Sequence, residues 1–234
     1  MHLDNIYKSL TLESLLFFRM VKYQIQSFPL CPFGRSLRAI LNEKKIAHKV
    51  KSTHDHKMFA QCIFEVFSPS IKIKTAPYIV VEYLEDCYKE NQILYGDEIQ
   101  RLKIRQMIDF VERKMYNTST KLILFEKIIN KDSIPDSSKL QEGYKNLTSA
   151  LSYLNEILFY NSKIAGEHIS AADLILASHL SCLDYVAAIN WQDKSTENLK
   201  IWYSAIKSRP RFKSILDFIL PEVKPSKSYF ELDF

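Results

Sequence analysis

The chain has 234 residues, of which 47% are hydrophobic and 25% are charged, and its formal net charge is +5. This length predicts two compact domains of about a hundred residues each. Four glycines are too few for the turns of a large β-sandwich, so the composition favours helices with a small sheet. Four widely separated cysteines indicate reduced thiols in a cytoplasmic protein and no metal site.

The first nineteen residues contain an apolar run at positions 15–18, which no small-residue cleavage site follows. This pattern predicts neither a signal peptide nor a membrane span. Because Met20 directly precedes the first predicted strand, residues 1–19 are interpreted as an extension that is dispensable for folding.

The basic excess lies in the first part of the chain, where residues 1–88 carry 12 basic and 8 acidic side chains. A solvated basic face explains this excess better than an acidic partner or an anionic ligand. The basic residues are not interleaved with aromatic ones as in an RNA-binding sheet, so no nucleic-acid partner is predicted.

The first chemical motif is a cysteine at a helix start. The predicted strand Tyr23–Ser27 is followed by Cys31 and Pro32, and a helical pattern then runs to Lys45. The unpaired N–H groups of a helix start stabilise a thiolate and predict a lowered pKa for Cys31. Thioredoxin-like folds present a sulfur in this way. Gly34 stands where a resolving cysteine would be, which leaves a monothiol site or a purely structural helix start.

The next apolar positions predict a strand at residues 46–50, a helix at 58–67, a brief alternation at 71–74 and a helix at 78–88. A linker at 89–92 follows, and the periodicity from residue 93 to residue 220 is helical. The strongest helix start in that region is Ser170, with Asp173 three residues later. This spacing predicts a capping box, in which both residues have a structural role.

The Cys-Pro-Phe helix start, the helical second half and the Gly-x-x-x-Ser-x-x-Asp motif together resemble the glutathione transferase superfamily. Within it, the chain resembles the FzlA proteins, a subgroup of FtsZ-binding, glutathione-transferase-like bacterial division proteins. The stretch from Leu124 to Lys127 and the terminus at 232–234 are its most discriminating parts. The resemblance implies a thioredoxin-like α/β domain (20–88), an all-α glutathione-transferase domain (93–220) and a homodimer.

One departure concerns glutathione. Members of the superfamily hold it with a β-hairpin and with a Glu/Asp-Ser pair at the next helix start. The segment between Pro69 and Tyr78 is too short for two strands and a turn, so we expect a truncated domain that has lost this hairpin. Ala76 and Pro77 stand at the positions of the acid and the serine. No cofactor is therefore predicted.

Residues 221–234 are predicted to form an extended tail, because Pro221 and Pro225 stop helix growth. Aromatic residues on a mobile peptide suit the groove of a partner, although they could also fold back onto the chain's own helices. The candidate partner-binding residues are Tyr229, Phe230, Leu232, Asp233 and Phe234.

Two functions follow from the resemblance. The favoured one is a non-catalytic module that binds FtsZ at the division site and acts on septal wall-synthesis proteins through its tail. The alternative is a glutathione-dependent transferase or thiol reductase with Cys31 as its catalytic thiolate. A degenerate relative that folds poorly is a third reading.

Overall fold

The computed structural model describes residues 22–59, 61–67 and 71–231. These residues form a small mixed sheet with two helices, followed by a larger helical region. This confirms a thioredoxin-like first domain and a helical second domain. The predicted dispensable extension at residues 1–19 lies outside the described residues.

The sheet has four strands in the order β2-β1-β3-β4. The strands are β1 (Tyr23–Ser27), β2 (His48–Ser52), β3 (Cys62–Val66) and β4 (Ile71–Lys74). β1 pairs in parallel with β2, and the helix α1 (Pro32–Glu43) makes the crossover that a parallel pair requires. β1 pairs antiparallel with β3, and β3 pairs antiparallel with β4.

The predicted loss of the β-hairpin is wrong, because β3 and β4 form that hairpin, with Phe64 opposite Ile73. The predicted helix at 58–67 is also wrong, because half of this segment forms the strand β3. The side chains of Cys62, Phe64 and Val66 are buried while those between them are partly exposed, which is the alternation of a strand. The segment between Pro69 and Tyr78 needs to hold only one strand, β4. The other strand of the hairpin, β3, lies before Pro69.

The helix α1 starts directly under the sheet. Its Gly34 is required there, since a Cβ at this position would lie 2.3 Å from Oγ of Ser27. The helix α2 (Pro77–Cys87) follows β4. Lys44, just after α1, is fully buried and donates to Glu85 of α2 over 2.6 Å, which fixes the two helices to each other.

The second domain begins with α3 (Glu98–Asp109). The same helix continues as a π-helical segment (Phe110–Thr120), the short α4 (Lys121–Leu124) and a second π-helical segment (Phe125–Ile129). The remaining helices are α5 (Ser137–Tyr160), α6 (Ala171–Tyr185), α7 (Glu197–Lys207) and α8 (Pro210–Leu216). Every residue of α6 is buried, and α6 packs against α1 across the domain boundary. Among the described helices, none has the length and apolar character needed to cross a membrane.

The burial pattern explains the π-helical segment. Buried pairs recur every four residues, at 107–108, 111–112, 115–116 and 119–120. An α-helix has 3.6 residues per turn, so a strict four-residue repeat would drift around its surface. The wider π-helical turn keeps these pairs facing the rest of the protein, and π-helical geometry is frequent at functional sites.

Candidate functional site

The thiol of Cys31 lies at the start of α1 and is completely buried. The backbone N–H of Gly34 donates to its sulfur over 3.4 Å, so Cys31 caps the helix with its side chain. The sulfur in turn donates to the carbonyl oxygen of Gln61, just before β3, over 3.3 Å. The thiol therefore joins α1 to the start of the hairpin.

Burial raises the pKa of Cys31 to about 12, and the N–H of Gly34 offsets only part of this effect. The predicted lowering of this pKa is therefore wrong. The helix start does act in the expected direction, but the loss of water around a fully buried sulfur acts more strongly in the other. At neutral pH the buried group is a protonated thiol.

The start of α2 also differs from a glutathione site. Ala76 is the N-cap residue of α2 and offers no side-chain acceptor, and Pro77 has no backbone N–H. Beside them lies a cavity of about 240 Å³, whose lining includes Phe33, Gln61 and Lys74. Within the described ranges, no group of three His, Cys, Asp or Glu side chains could hold a metal ion.

Ser170 and Asp173 form the capping box at the start of α6. One carboxylate oxygen of Asp173 accepts from the backbone N–H and the hydroxyl of Ser170, over 2.9 and 2.8 Å. The other accepts from the N–H of Ile164 and from the indole of Trp202, both over 3.0 Å. Although burial raises the pKa of Asp173, these four donors act in the opposite direction. Asp173 thus connects α6, α7 and the preceding loop.

The segment at 221–231 is packed on the protein, which corrects the prediction of an extended tail for these residues. Tyr229, predicted to bind a partner, is completely buried. Its hydroxyl accepts from Arg35 of α1 over 2.9 Å and donates to the carbonyl of Leu216 over 3.1 Å. The helix α8 already ends at Leu216, five residues before Pro221, and the chain then turns back onto α6 and α7.

Arg35 is the centre of this contact. Its guanidinium also donates to the carbonyl oxygens of Pro29 and Phe218 and to the hydroxyl of Ser181, over 2.8 to 3.0 Å. All four acceptors are neutral, so hydrogen bonds and not an ion pair stabilise the buried charge of Arg35. One side chain of the first domain thereby binds α6 and the C-terminal segment.

A buried ion pair lies under the same segment. Asp184 of α6 and Lys207 of α7 are both fully buried, 3.4 Å apart. Ser228 closes the pair, since its hydroxyl donates to Asp184 over 2.7 Å and its carbonyl oxygen accepts from Lys207. The carboxylate of Asp184 is thus fully engaged in contacts that join α6, α7 and the C-terminal segment.

The other candidate tail residues divide into two groups. Phe230 has 56% of its surface exposed, beside the buried ring of Tyr229. Leu232, Asp233 and Phe234 lie outside the described residues. Phe230 is therefore the candidate that the structure leaves accessible.

Sequence reasoning missed a second polar site. A cavity of about 590 Å³ lies between α2 and the helix at 98–120, and Glu112 lines it. The burial of Glu112 follows from the four-residue repeat of buried pairs, which only the structure shows. His179 of α6 lies near this region with both ring nitrogens buried, and burial lowers its pKa to about 3.

Known proteins similar to this chain were found among curated sequences and among solved structures. No protein-family model matches the sequence. The chain is 29% identical over 230 residues to FtsZ-localized protein A of Caulobacter vibrioides, which covers 92% of this chain and 99% of that protein.

Solved structures agree with this similarity. The structure of FzlA from C. crescentus matches with a TM-score of 0.81 and 27% identity, over 92% of this chain and all of that chain. A glutathione S-transferase from Rhodospirillum rubrum matches with a TM-score of 0.82 and 26% identity, over 91% of this chain and all of that chain. One from Sinorhizobium meliloti matches with a TM-score of 0.81 and 25% identity, over the same shares. The chain is thus a glutathione-transferase-like protein that is similar to FtsZ-localized protein A over nearly its whole length.

Proposed function

We propose that this chain is a non-catalytic, glutathione-transferase-like protein of bacterial cell division that binds FtsZ filaments in the cytoplasm. The observation that carries the proposal is the similarity to FtsZ-localized protein A, which extends over 99% of that protein. A similarity confined to one domain would support only a shared fold. Here it covers 92% of this chain, which is more than either domain alone.

The state of Cys31 supports the absence of catalysis. A thiol that attacks a substrate must be accessible and at least partly ionised. Cys31 is completely buried, and its pKa is raised to about 12. Its two hydrogen bonds are used to cap α1 and to contact the chain before β3.

The alternative is a glutathione-dependent transferase or thiol reductase that uses Cys31. The observation in its favour is the β3–β4 hairpin, the element that holds the glutathione backbone in the superfamily. Against it stand Ala76 and Pro77, which lack the polar side chains that would hold the γ-glutamyl group.

We also propose that the protein is a homodimer. Ile99 and Leu102 lie on one face of α3 and are 61% and 60% exposed. Ile79 and Tyr83, four residues apart on α2, are also exposed. Glu82 and Arg105 bridge the two helices through two hydrogen bonds of 2.7 and 3.0 Å. We call these four apolar residues the α2–α3 patch. A twofold axis would let this patch cover its own copy.

The exposed ring of Phe230 and residues 232–234 are the proposed contact with septal wall-synthesis proteins. Tyr229 has no part in that contact, because it is buried against Arg35. The packed segment would hold Phe230 at a fixed place on the surface. Removing residues 232–234 is expected to leave FtsZ binding intact and to abolish the effect on division.

Co-sedimentation tests the main proposal. The full chain is mixed with FtsZ filaments assembled with GTP. Unassembled FtsZ with GDP is the control. We expect saturable pelleting with the filaments only. A folded protein that stays in the supernatant at excess filament would overturn the proposal.

A matched pair of variants tests the dimer. Leu102→Glu places a charge in the α2–α3 patch, whereas Ile134→Glu places one at an apolar residue that is 96% exposed elsewhere. We expect Leu102→Glu to be a monomer by analytical ultracentrifugation and to bind filaments more weakly, since it loses bivalent attachment. Ile134→Glu is expected to behave as the unmodified chain. Equal mass for both variants would contradict the assignment of the patch.

Calorimetry distinguishes the alternative function. We expect no saturable heat with millimolar glutathione. Binding at tens of micromolar, or turnover of a thiol-transfer substrate that Cys31→Ser abolishes, would favour the enzyme.

A further inference from the structure

The cavity between α2 and the helix at 98–120 has a volume of about 590 Å³. Its apolar wall includes Phe33, Tyr78, Val81 and Ile108. This size lies within the range of small-molecule sites, which are mostly apolar with a few convergent polar groups. Phe33 and Ala76 also line the smaller cavity beside β3, so the two cavities adjoin.

Glu112 is the unusual member of this lining. Only 8% of the residue is exposed, and both of its carboxylate oxygens are buried without a hydrogen-bond partner among the described residues. The backbone N–H of Tyr78 faces the carboxyl group but does not complete a hydrogen bond. A buried acid without a partner is costly, and nearly all buried polar groups in proteins have one.

The neighbouring cations are already engaged. The guanidinium of Arg105 donates two hydrogen bonds to the carboxylate of Glu82. The guanidinium of Arg113 likewise donates two to Asp109, both over 2.7 Å. The lining therefore holds three acidic and two basic side chains, and the unmatched acid is Glu112. From the sheet, the thiol of Cys62 also faces this carboxyl. An added positive charge is what the cavity lacks.

We propose that this cavity binds a small organic cation, an amine, amidine or guanidine attached to an apolar or aromatic group, with its charge on the Glu112 carboxylate. The apolar wall receives the uncharged part of the ligand, and the rings of Phe33 and Tyr78 add a favourable environment for a delocalised cation. Glutathione does not fit this description, since its two carboxylates and one ammonium give it a net negative charge, and it has no apolar or aromatic group for the wall of the cavity. The inference is independent of FtsZ binding.

The site would couple ligand binding to release of a proton. Burial raises the pKa of Glu112 to about 8, so the carboxyl group of the free protein is mostly protonated at neutral pH. A cation binds the ionised form, so one proton leaves as the ligand enters. The affinity is then expected to rise by about tenfold per pH unit below pH 8 and to level off above it. The other charged groups facing Glu112 are those of the two ion pairs, and arginine stays charged throughout.

Benzamidine and benzamide form a matched pair of probes, because they have nearly the same shape and only benzamidine is charged. Titration calorimetry of the full chain at pH 8 is expected to give at least about tenfold tighter binding of benzamidine. Glu112→Gln, which keeps the size of the side chain, should abolish this preference. Glu82→Gln removes another acid of the same cavity and should retain it.

Several outcomes would overturn the proposal. They are equal binding of the two probes, absence of benzamidine binding at millimolar concentration, and a preference that persists in Glu112→Gln. If Glu112→Gln does not fold, the unmodified chain still tests the proposal. Its affinity for benzamidine relative to benzamide must increase between pH 6 and pH 8. A ratio that is constant over this range would also overturn it.

Discussion

The guanidinium of Arg35 donates a hydrogen bond to the hydroxyl of Tyr229 over 2.9 Å, although the two residues are 194 positions apart. Arg35 belongs to the sheet domain, while Tyr229 follows the last helix of the helical domain. The bond therefore makes the C-terminal segment part of the interface between the domains. Its acceptor is a neutral hydroxyl, so the interaction depends on the position of the tyrosine ring.

Tyr229→Ala is expected to destabilise the protein strongly, since it removes a fully buried ring and leaves Arg35 without one acceptor. A loss of about 3–5 kcal/mol would lower the thermal midpoint by roughly 6–20 °C. Thermal unfolding followed by circular dichroism measures this shift. Phe230→Ala, at the exposed neighbour, should change the free energy of unfolding by less than about 1 kcal/mol. Equal shifts would mean that the segment is not anchored by Tyr229.

The capping box gives a second prediction. Ser170→Ala should cost about 1 kcal/mol, which is typical for the loss of a helix cap. Asp173→Ala should cost more, at least about 3 kcal/mol, because it leaves donors of Ser170, Ile164 and Trp202 unpaired in the interior. Urea unfolding of the two variants tests the order. A smaller effect of Asp173→Ala than of Ser170→Ala would contradict the assigned contacts.

Thiol reactivity tests the state of Cys31. Cys87 is exposed, whereas Cys31, Cys62 and Cys182 are buried. Ellman's reagent at pH 8 is expected to react rapidly with one thiol per native chain and with four after denaturation. Cys87→Ser should abolish the rapid phase, and Cys31→Ser should leave it unchanged. A rapid phase that depends on Cys31 would show an accessible thiolate.

Glu112 predicts how stability depends on pH. Its pKa in the folded protein is about 8, against an ordinary value of 4.5, so the folded state binds more protons than the unfolded state between these values. The free energy of unfolding must then fall as pH rises from about 4.5 to 8, by an amount on the order of 5 kcal/mol. Glu112→Gln should remove most of this decline. Urea unfolding at several pH values compares the two proteins, and identical slopes would contradict the burial of an ionisable acid.

Local signals account for the parts of the fold that the sequence predicts well. The strand before Cys31, the proline that opens α1 and the pair Ser170 and Asp173 each act over a few residues. Their physical basis is the satisfaction of helix-end donors, which depends little on the rest of the chain.

The errors arise where several interpretations share one pattern. Apolar residues at 62, 63, 66 and 67 fit a helical stripe as well as a strand, and pairing with β1 decided the outcome. The ionisation of Cys31 depends on how completely both domains cover it. Likewise, the burial of Tyr229 depends on Arg35, which no local pattern reveals.

The dependence of Arg35 on Tyr229 also bears on biosynthesis. Ribosomes make the chain from its N-terminus, so α1 is complete long before Tyr229 is added, and domains generally fold during synthesis in that order. Until residues 226–231 dock, the guanidinium of Arg35 lacks its Tyr229 acceptor, and the Asp184–Lys207 pair lacks its contacts with Ser228. Closure of the interface is therefore a late event, and a translational pause or a truncated product upstream of Tyr229 would leave the two domains incompletely joined.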